Sequence, residues 1–231
     1  MARTSKAQHL RSPLVDAWPP DDTEESILGI HLHQTTIRTL TFGLNEAAML
    51  HTPPGQPPPW TATCQLLVLG CRRRNGSLIR TYPDIFVYRQ PIDPLQGTFR
   101  LDKDGPPLLI IEVLSESTCE KDLDMERGKG YSYALAGVRE YLTIDPTWTY
   151  LAAGIRAWRL EGGAYQPWEP AADGRWYSTE IAAAVALKGM LARVYTPDGQ
   201  EIPLEGGIMQ ALAARDAEIE RLRRILSERP E

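Results

Sequence analysis

Residues 108–114, Leu-Leu-Ile-Ile-Glu-Val-Leu, constrain this chain more than any other stretch. A continuous apolar run rich in Ile and Val, opened here by Pro106 and Pro107, reads as a strand covered on both faces. Glu112 sits inside it. An unpaired buried carboxylate is so costly that it must find a partner or keep its proton. A metal ion, a lysine, or a second carboxylate sharing a cation would serve. Residues 83–88, Pro-Asp-Ile-Phe-Val-Tyr, read as another short apolar strand, with Asp84 near the end of the sheet. Two carboxylates from neighbouring strands can grip one hard cation. A structural ion pair for Glu112 and a turn-capping role for Asp84 fit the same spacing.

The next segment reads as a turn, a helix and a third strand over residues 141–145. Ser117, with Glu120 three residues on, fits a capping box. Asp122 and Asp124 put negative charge near the helix start, where the dipole favours it. The helix is expected to run to Ala136 and stop at Gly137. Lys129 and Tyr133 are four apart and share a face. Gly128 and Gly130 flank Lys129, and each costs about 1 kcal/mol against Ala inside a helix. The helix is therefore expected to break there, or another part of the backbone to approach closely. Taken alone, Lys129 also reads as a solvated surface lysine.

These residues in this order carry a resemblance. Pro83-Asp84, the strand ending Glu112-Val113-Leu114-Ser115, Ser117-Thr118, Asp122-Leu123-Asp124, Lys129, Tyr133, residues 136–142 (Ala-Gly-Val-Arg-Glu-Tyr-Leu) and Asp145-Pro146 together resemble the Uma-two family of restriction endonucleases. That family lies within the PD-(D/E)XK nuclease superfamily. The match is dense over residues 82–146 and looser over 24–197. The resemblance implies an α/β fold, a restriction-endonuclease-like mixed β-sheet flanked by helices. It implies Asp84 and Glu112 as acidic ligands of Mg2+ (or Mn2+), joined by a backbone carbonyl near Val113, and Lys129 as the catalytic lysine. The superfamily's lysine usually follows two residues after the acid on the strand, a position held here by Leu114. Lys129 from the following helix is the candidate in its place. His33, Tyr133 and Glu25 are possible accessory residues. The implied activity is endonucleolytic hydrolysis of nucleic-acid phosphodiester bonds, with DNA the expected substrate. The alternative is a non-catalytic nuclease-fold module for binding or dimerisation.

Charge gives no global case for nucleic acid. There are 25 basic and 30 acidic residues, a net −5, so any such binding must rest on local clusters. Arg72-Arg73-Arg74 is the one dense cluster, and it also reads as a solvated hairpin tip before Asn75-Gly76. Three cysteines without metal-ligand spacing fit a reducing compartment. No signal-type or membrane-spanning apolar segment is present in the sequence, so a cytoplasmic protein is expected.

Outside the central stretch, residues 1–22 read as a polar, proline-punctuated arm, and 23–205 as the nuclease-like domain. A first helix is expected to open around Asp21–Glu25, with Ile30, Ile37, Leu40 and Leu44 on its core face. His33 lies near that face; His31, two residues away, diverges from it. Glu24 and Glu25 are explained by the helix dipole alone. Residues 65–69 and 78–80 read as a strand and its return, and 92–107 as a long polar loop. Residues 150–168 read as a hairpin around Gly162-Gly163, and 182–187 and 191–195 as two further strands. Trp148, Trp158, Trp168 and Trp176 read best as cover for a sheet face. From residue 206 to 231, Ile208, Leu212, Ile219, Leu222 and Leu226 form a stripe at heptad-like spacing. This C-terminal amphipathic helix must pack on the body of the chain, a second copy or another protein, and a homodimer is the first expectation.

Overall fold

The computed structural model describes residues 24–72, 77–93 and 95–204. The chain opens with helix α1 (Glu24–Leu50), then strands β1 (Thr61–Cys64), β2 (Leu67–Arg72), β3 (Leu78–Thr81), β4 (Ile85–Tyr88) and β5 (Thr98–Arg100). A single turn of helix, α2 (Leu101–Asp104), leads to β6 (Leu109–Val113). Two short helices, α3 (Cys119–Leu123) and α4 (Lys129–Ala136), carry the chain to β7 (Glu140–Ile144). The antiparallel strands β8 (Ile155–Glu161) and β9 (Ala164–Trp168) follow, then β10 (Trp176–Tyr177), β11 (Ala184–Lys188) and β12 (Leu191–Tyr195).

Six strands form the main sheet in the order β1-β4-β6-β7-β8-β9. Only β6 and β7 are parallel; the other neighbours are antiparallel. Parallel neighbours cannot be joined by a tight turn and need a crossover. Here the crossover is α3 and α4, so this one parallel pair fixes where the two helices lie. The pleat then divides the core. Leu109, Ile111 and Val113 of β6 pack with Ile37, Leu40 and Leu44 of α1. On the other face Ile110 packs with Tyr133, Tyr141 and Phe86. All five residues of β6 are buried, as are all five of β7. The α/β architecture and mixed sheet expected from the sequence are present.

Helix α1 closes one side. Asn45 makes paired hydrogen bonds to Ala62, Nδ2 to the carbonyl and Oδ1 from the amide, both at 2.9 Å. Trp60 Nε1 donates to the Leu44 carbonyl at 3.1 Å. A Cβ at Gly43 would stand 2.8 Å from Val194 Cγ2, so a glycine is what lets α1 approach β12.

Several local expectations need correction. Ile30 is 63% exposed; the buried stripe of α1 is Leu32, Ile37, Leu40 and Leu44. The strand expected over 65–69 begins only at Leu67, because Gln65, whose φ is +54°, separates it from β1. β1 lies in the main sheet, and β2 pairs with β3 and β5 in a second sheet. The polar stretch 92–107 is not all loop, since β5 pairs in parallel with β2 and α2 follows directly. Ser117 and Glu120 form no capping box. Thr118 is the N-cap of α3, and its side chain makes no capping bond. Of the tryptophans, Trp158, Trp168 and Trp176 are buried, whereas Trp148 is exposed. Residues 1–22, the tip 73–76 and the amphipathic segment 206–231 lie outside the described residues. No helix among the described residues is long and apolar enough to cross a membrane.

Glu140, at the start of β7, shows what a structural buried acid looks like here. Its Oε1 accepts from Arg159 Nε, the Thr179 amide and Thr179 Oγ1 at 2.9–3.0 Å, and its Oε2 accepts from Ser178 Oγ. This carboxylate ties the main sheet to the segment leading into β11. Removing one partner of a buried, hydrogen-bonded ion pair costs about 3–5 kcal/mol. Glu140→Ala should lower stability by about that amount in urea denaturation. A loss below about 1 kcal/mol would mean that the clamp contributes little.

Candidate active site

Strand register brings the two sequence-predicted acids together. Ile85 of β4 faces Ile111 of β6, so Asp84 falls beside Glu112. The Asp84 amide donates to Glu112 Oε2 at 3.3 Å, and the Val113 amide donates to Asp84 Oδ2 at 2.9 Å. Glu112 has no solvent exposure, while the Asp84 side chain is 19% exposed at the strand end. Among the described residues, Asp84 Oδ1 has no hydrogen-bond partner.

The crossover supplies the rest. Glu112 shares the pleat side of Ile110, the face on which α4 lies. Lys129, the first residue of α4, reaches down to it: Nζ is 3.0 Å from Glu112 Oε2. One turn on, the Tyr133 hydroxyl donates to Glu112 Oε1. That hydroxyl also lies 3.1 Å from Thr81 Oγ1. The expected helix interruption occurs at Asp124, whose Oδ1 accepts the amides of Glu126 and Arg127 at 2.8 and 2.9 Å. Gly128 then caps α4. A Cβ there would stand 2.2 Å from the Lys121 carbonyl oxygen, so the close approach expected around Lys129 is real. Gly137 ends α4 in the left-handed conformation, with φ 79°.

In the sequence Asp122 reads only as a dipole-complementing acid, and the structure places it in the site. It is fully buried, and Lys129 Nζ lies 2.9 Å from its Oδ1. Apart from that ion pair, neither carboxylate oxygen accepts a hydrogen bond among the described residues. The Tyr141 hydroxyl donates to the Asp122 backbone carbonyl at 2.7 Å, which pins α3 to β7. The sequence held a weak signal: an acid beside Leu123 and one turn before Met125–Gly128 in a crossover that had to lie on the sheet. His33 of α1 also reaches the site, with Nε2 3.4 Å from Asp84 Oδ2. Glu25 lies in the first turn of α1, and its side chain is outside those described.

Electrostatics follow from this crowding. Burial pushes the Glu112 carboxyl up to about 8, outweighing the attraction of Lys129, and Asp84 and Asp122 add to the rise. Burial opposes the Lys129 ammonium, but Glu112 and Asp122 outweigh it and raise its pKa. Burial likewise opposes the Asp84 carboxylate, yet the hydrogen bonds from His33 and the Val113 amide hold it below the usual range. His33 is raised by its bond to Asp84 despite partial burial. Tyr133 is pushed well up by burial and by Glu112, so it remains a donor. Three acids thus face one lysine and one histidine. Among the described residues no group of three or more His, Cys, Asp or Glu side chains has metal-holding geometry. Any cation would rest on the Asp84–Glu112 pair.

The raised Glu112 carboxyl predicts a sign. Between about 4.5 and about 8 the folded chain keeps a proton that the unfolded chain has released. Stability from this group therefore falls as pH rises through that window. In the metal-free protein, the stability difference between wild type and Glu112→Gln should shift against wild type from about pH 4.5 to about 8. Thermal unfolding across pH reads it; a difference that does not vary with pH would contradict the account.

A family model described as "Putative restriction endonuclease", Uma2, matches residues 28–187, a span that contains Asp84, Glu112, Asp122, Lys129 and Tyr133. A crystal structure of a "putative nuclease belonging to DUF820" from Anabaena variabilis is similar at 16% identity, over 65% of this chain and 75% of that one, with a TM-score of 0.41. Among curated proteins, none matches. With well over half of its length matched by one family model, the chain belongs to the Uma2 family of restriction-endonuclease-like proteins.

Proposed function

We propose that this protein is a metal-dependent endonuclease that hydrolyses phosphodiester bonds in nucleic acid, with DNA as the expected substrate. The observation that carries the reading is the convergence of Lys129 on Glu112, 3.0 Å away, beside Asp84, in a chain of this family. A structural ion pair alone does not account for three acids around one lysine.

The donor set fits a hard divalent ion. Asp84 and Glu112 offer carboxylate oxygens, Asp84 Oδ1 is uncommitted among the described residues, and the Val113 carbonyl is the third candidate ligand. Magnesium is often bound through one or two carboxylates together with waters and substrate phosphate, and manganese accepts the same ligands. An ion held there would supply Lewis-acid activation of the attacking water and offset charge on the phosphate. The chain's own residues do the positioning. Tyr133 holds Glu112 Oε1, leaving Oε2 toward Lys129 and the Asp84 amide. His33 and the Val113 amide brace Asp84 Oδ2. Asp122 helps keep Lys129 charged and aimed at the acid pair. Lys129 would orient the water or donate to the phosphoryl oxygen on which charge builds.

A cytoplasmic homodimer joined through the stripe after residue 206 belongs to the same proposal. The net charge of −5 favours the second reading, a nuclease-fold module that binds without cutting. Incubation with linear, supercoiled and single-stranded DNA in magnesium or manganese separates the two. The wild type should cut only with metal, and Glu112→Gln should cut about 100-fold more slowly or not at all. Equal cutting by the variant would place the activity elsewhere. No cutting by the wild type would favour the binding module.

A further inference from the structure

A cleft of about 310 Å³ opens between β3 and the α3–α4 turn, directly beside Lys129. Its charged lining is entirely basic: Arg80 from β3, Lys121 from α3, Arg127 from the turn and Lys129 from α4. The hydroxyl-bearing residues Thr81 and Ser132 also line it. Arg80, Lys121 and Arg127 are exposed, and none of the three lies in an ion pair among the described residues. In a chain with five more acids than bases, a wall with four cations and no acid is a local reversal of sign. Aromatic side chains are absent from the lining, so nothing there offers a stacking platform for a base.

We infer that this cleft is the track for the sugar–phosphate backbone of the nucleic-acid strand, leading it to Lys129 and the acid pair behind. The inference rests on the nuclease reading above and adds where, and by which groups, the strand is held. Cations from four separate elements suit a run of phosphates, because backbone contacts set position and carry no sequence information. Lys129 belongs to both places: its Nζ touches Glu112 and Asp122, and the residue also lines the cleft. A strand lying along Arg80, Lys121 and Arg127 would thus bring one phosphate to the lysine. Free phosphate or a nucleotide shares the same chemistry, so the test must tell polymer from small anion.

Fluorescence anisotropy with labelled double- and single-stranded DNA, in calcium in place of magnesium, reads binding directly. The full-length triple variant Arg80→Ala/Lys121→Ala/Arg127→Ala is compared with a charge-matched control, Arg38→Ala/Arg156→Ala/Lys188→Ala. All six positions are exposed. The cleft variant should bind about 10-fold or more weakly, and the slope of log affinity against log salt should fall by about 2–3. The control should stay close to wild type. A manganese-induced thermal shift like that of wild type would show that the cleft variant keeps its fold and acid pair. Wild-type affinity and salt slope in the cleft variant would overturn the track while leaving Glu112-dependent cutting intact. Displacement of the DNA by inorganic phosphate at matched phosphate concentration and ionic strength would overturn the polymer assignment. Failure of the wild type to bind any DNA at low salt would overturn both the track and the nuclease reading.

Discussion

A carboxylate buried in the middle of a sheet has to be answered by its surroundings, and the structure around Glu112 is arranged as that answer. The residue has no exposure and lies on a strand whose five positions are all buried. Ions removed from water cost several kcal/mol each even after relaxation, roughly the whole margin of stability of a small domain. Lys129, Tyr133 and the Asp84 amide all point at it. They do so because β6 and β7 are parallel, which obliges a helical crossover over that face. Gly128 lets α4 begin within reach of the Lys121 carbonyl, and so sets Lys129 over the acid.

Glu140 makes the contrast. Both glutamates are buried on neighbouring strands. Glu140 is met by a guanidinium, two hydroxyls and an amide, and its role is to join two layers. Glu112 shares its one lysine with Asp122 and has Asp84 beside it. A purely structural site would gain from fewer acids here. Three acids crowded on one lysine, with Glu112 keeping its proton up to about pH 8 and the site open to solvent at Asp84 and Lys129, form an arrangement in which a divalent cation would take the proton's place. The basic cleft gives the other half of the electrostatics, a positive surface for phosphates in a chain that is acidic as a whole.

The sequence was most readable where one physical demand was strong. The apolar run around Glu112 reads as a covered strand, and its boundaries fall within one residue of the observed ones. Gly137 marked the end of α4, and the glycines at 128 and 130 marked the interruption before it. Elements held by distant pairing were hidden. β5 has three residues in a polar stretch, and its partner β2 lies some thirty positions earlier. Gln65 carries no turn signature, yet it divides two sheets. Asp122 looked like a helix-start acid because local spacing cannot tell which side of a short helix faces the sheet. The cleft was equally hidden, since Arg80, Lys121 and Arg127 lie in three elements and form no run in the chain.

The central claim is that Asp84 and Glu112 together hold a cation which Lys129 stands beside in its absence. Anomalous diffraction from crystals grown with manganese tests it most directly. The account predicts a peak held by Asp84 and Glu112, with the Glu112 carboxyl ionised and Lys129 still within reach of the site. A peak elsewhere, or none at saturating manganese with Lys129 still locked on Glu112 and Asp122, would mean that the three acids serve the fold alone.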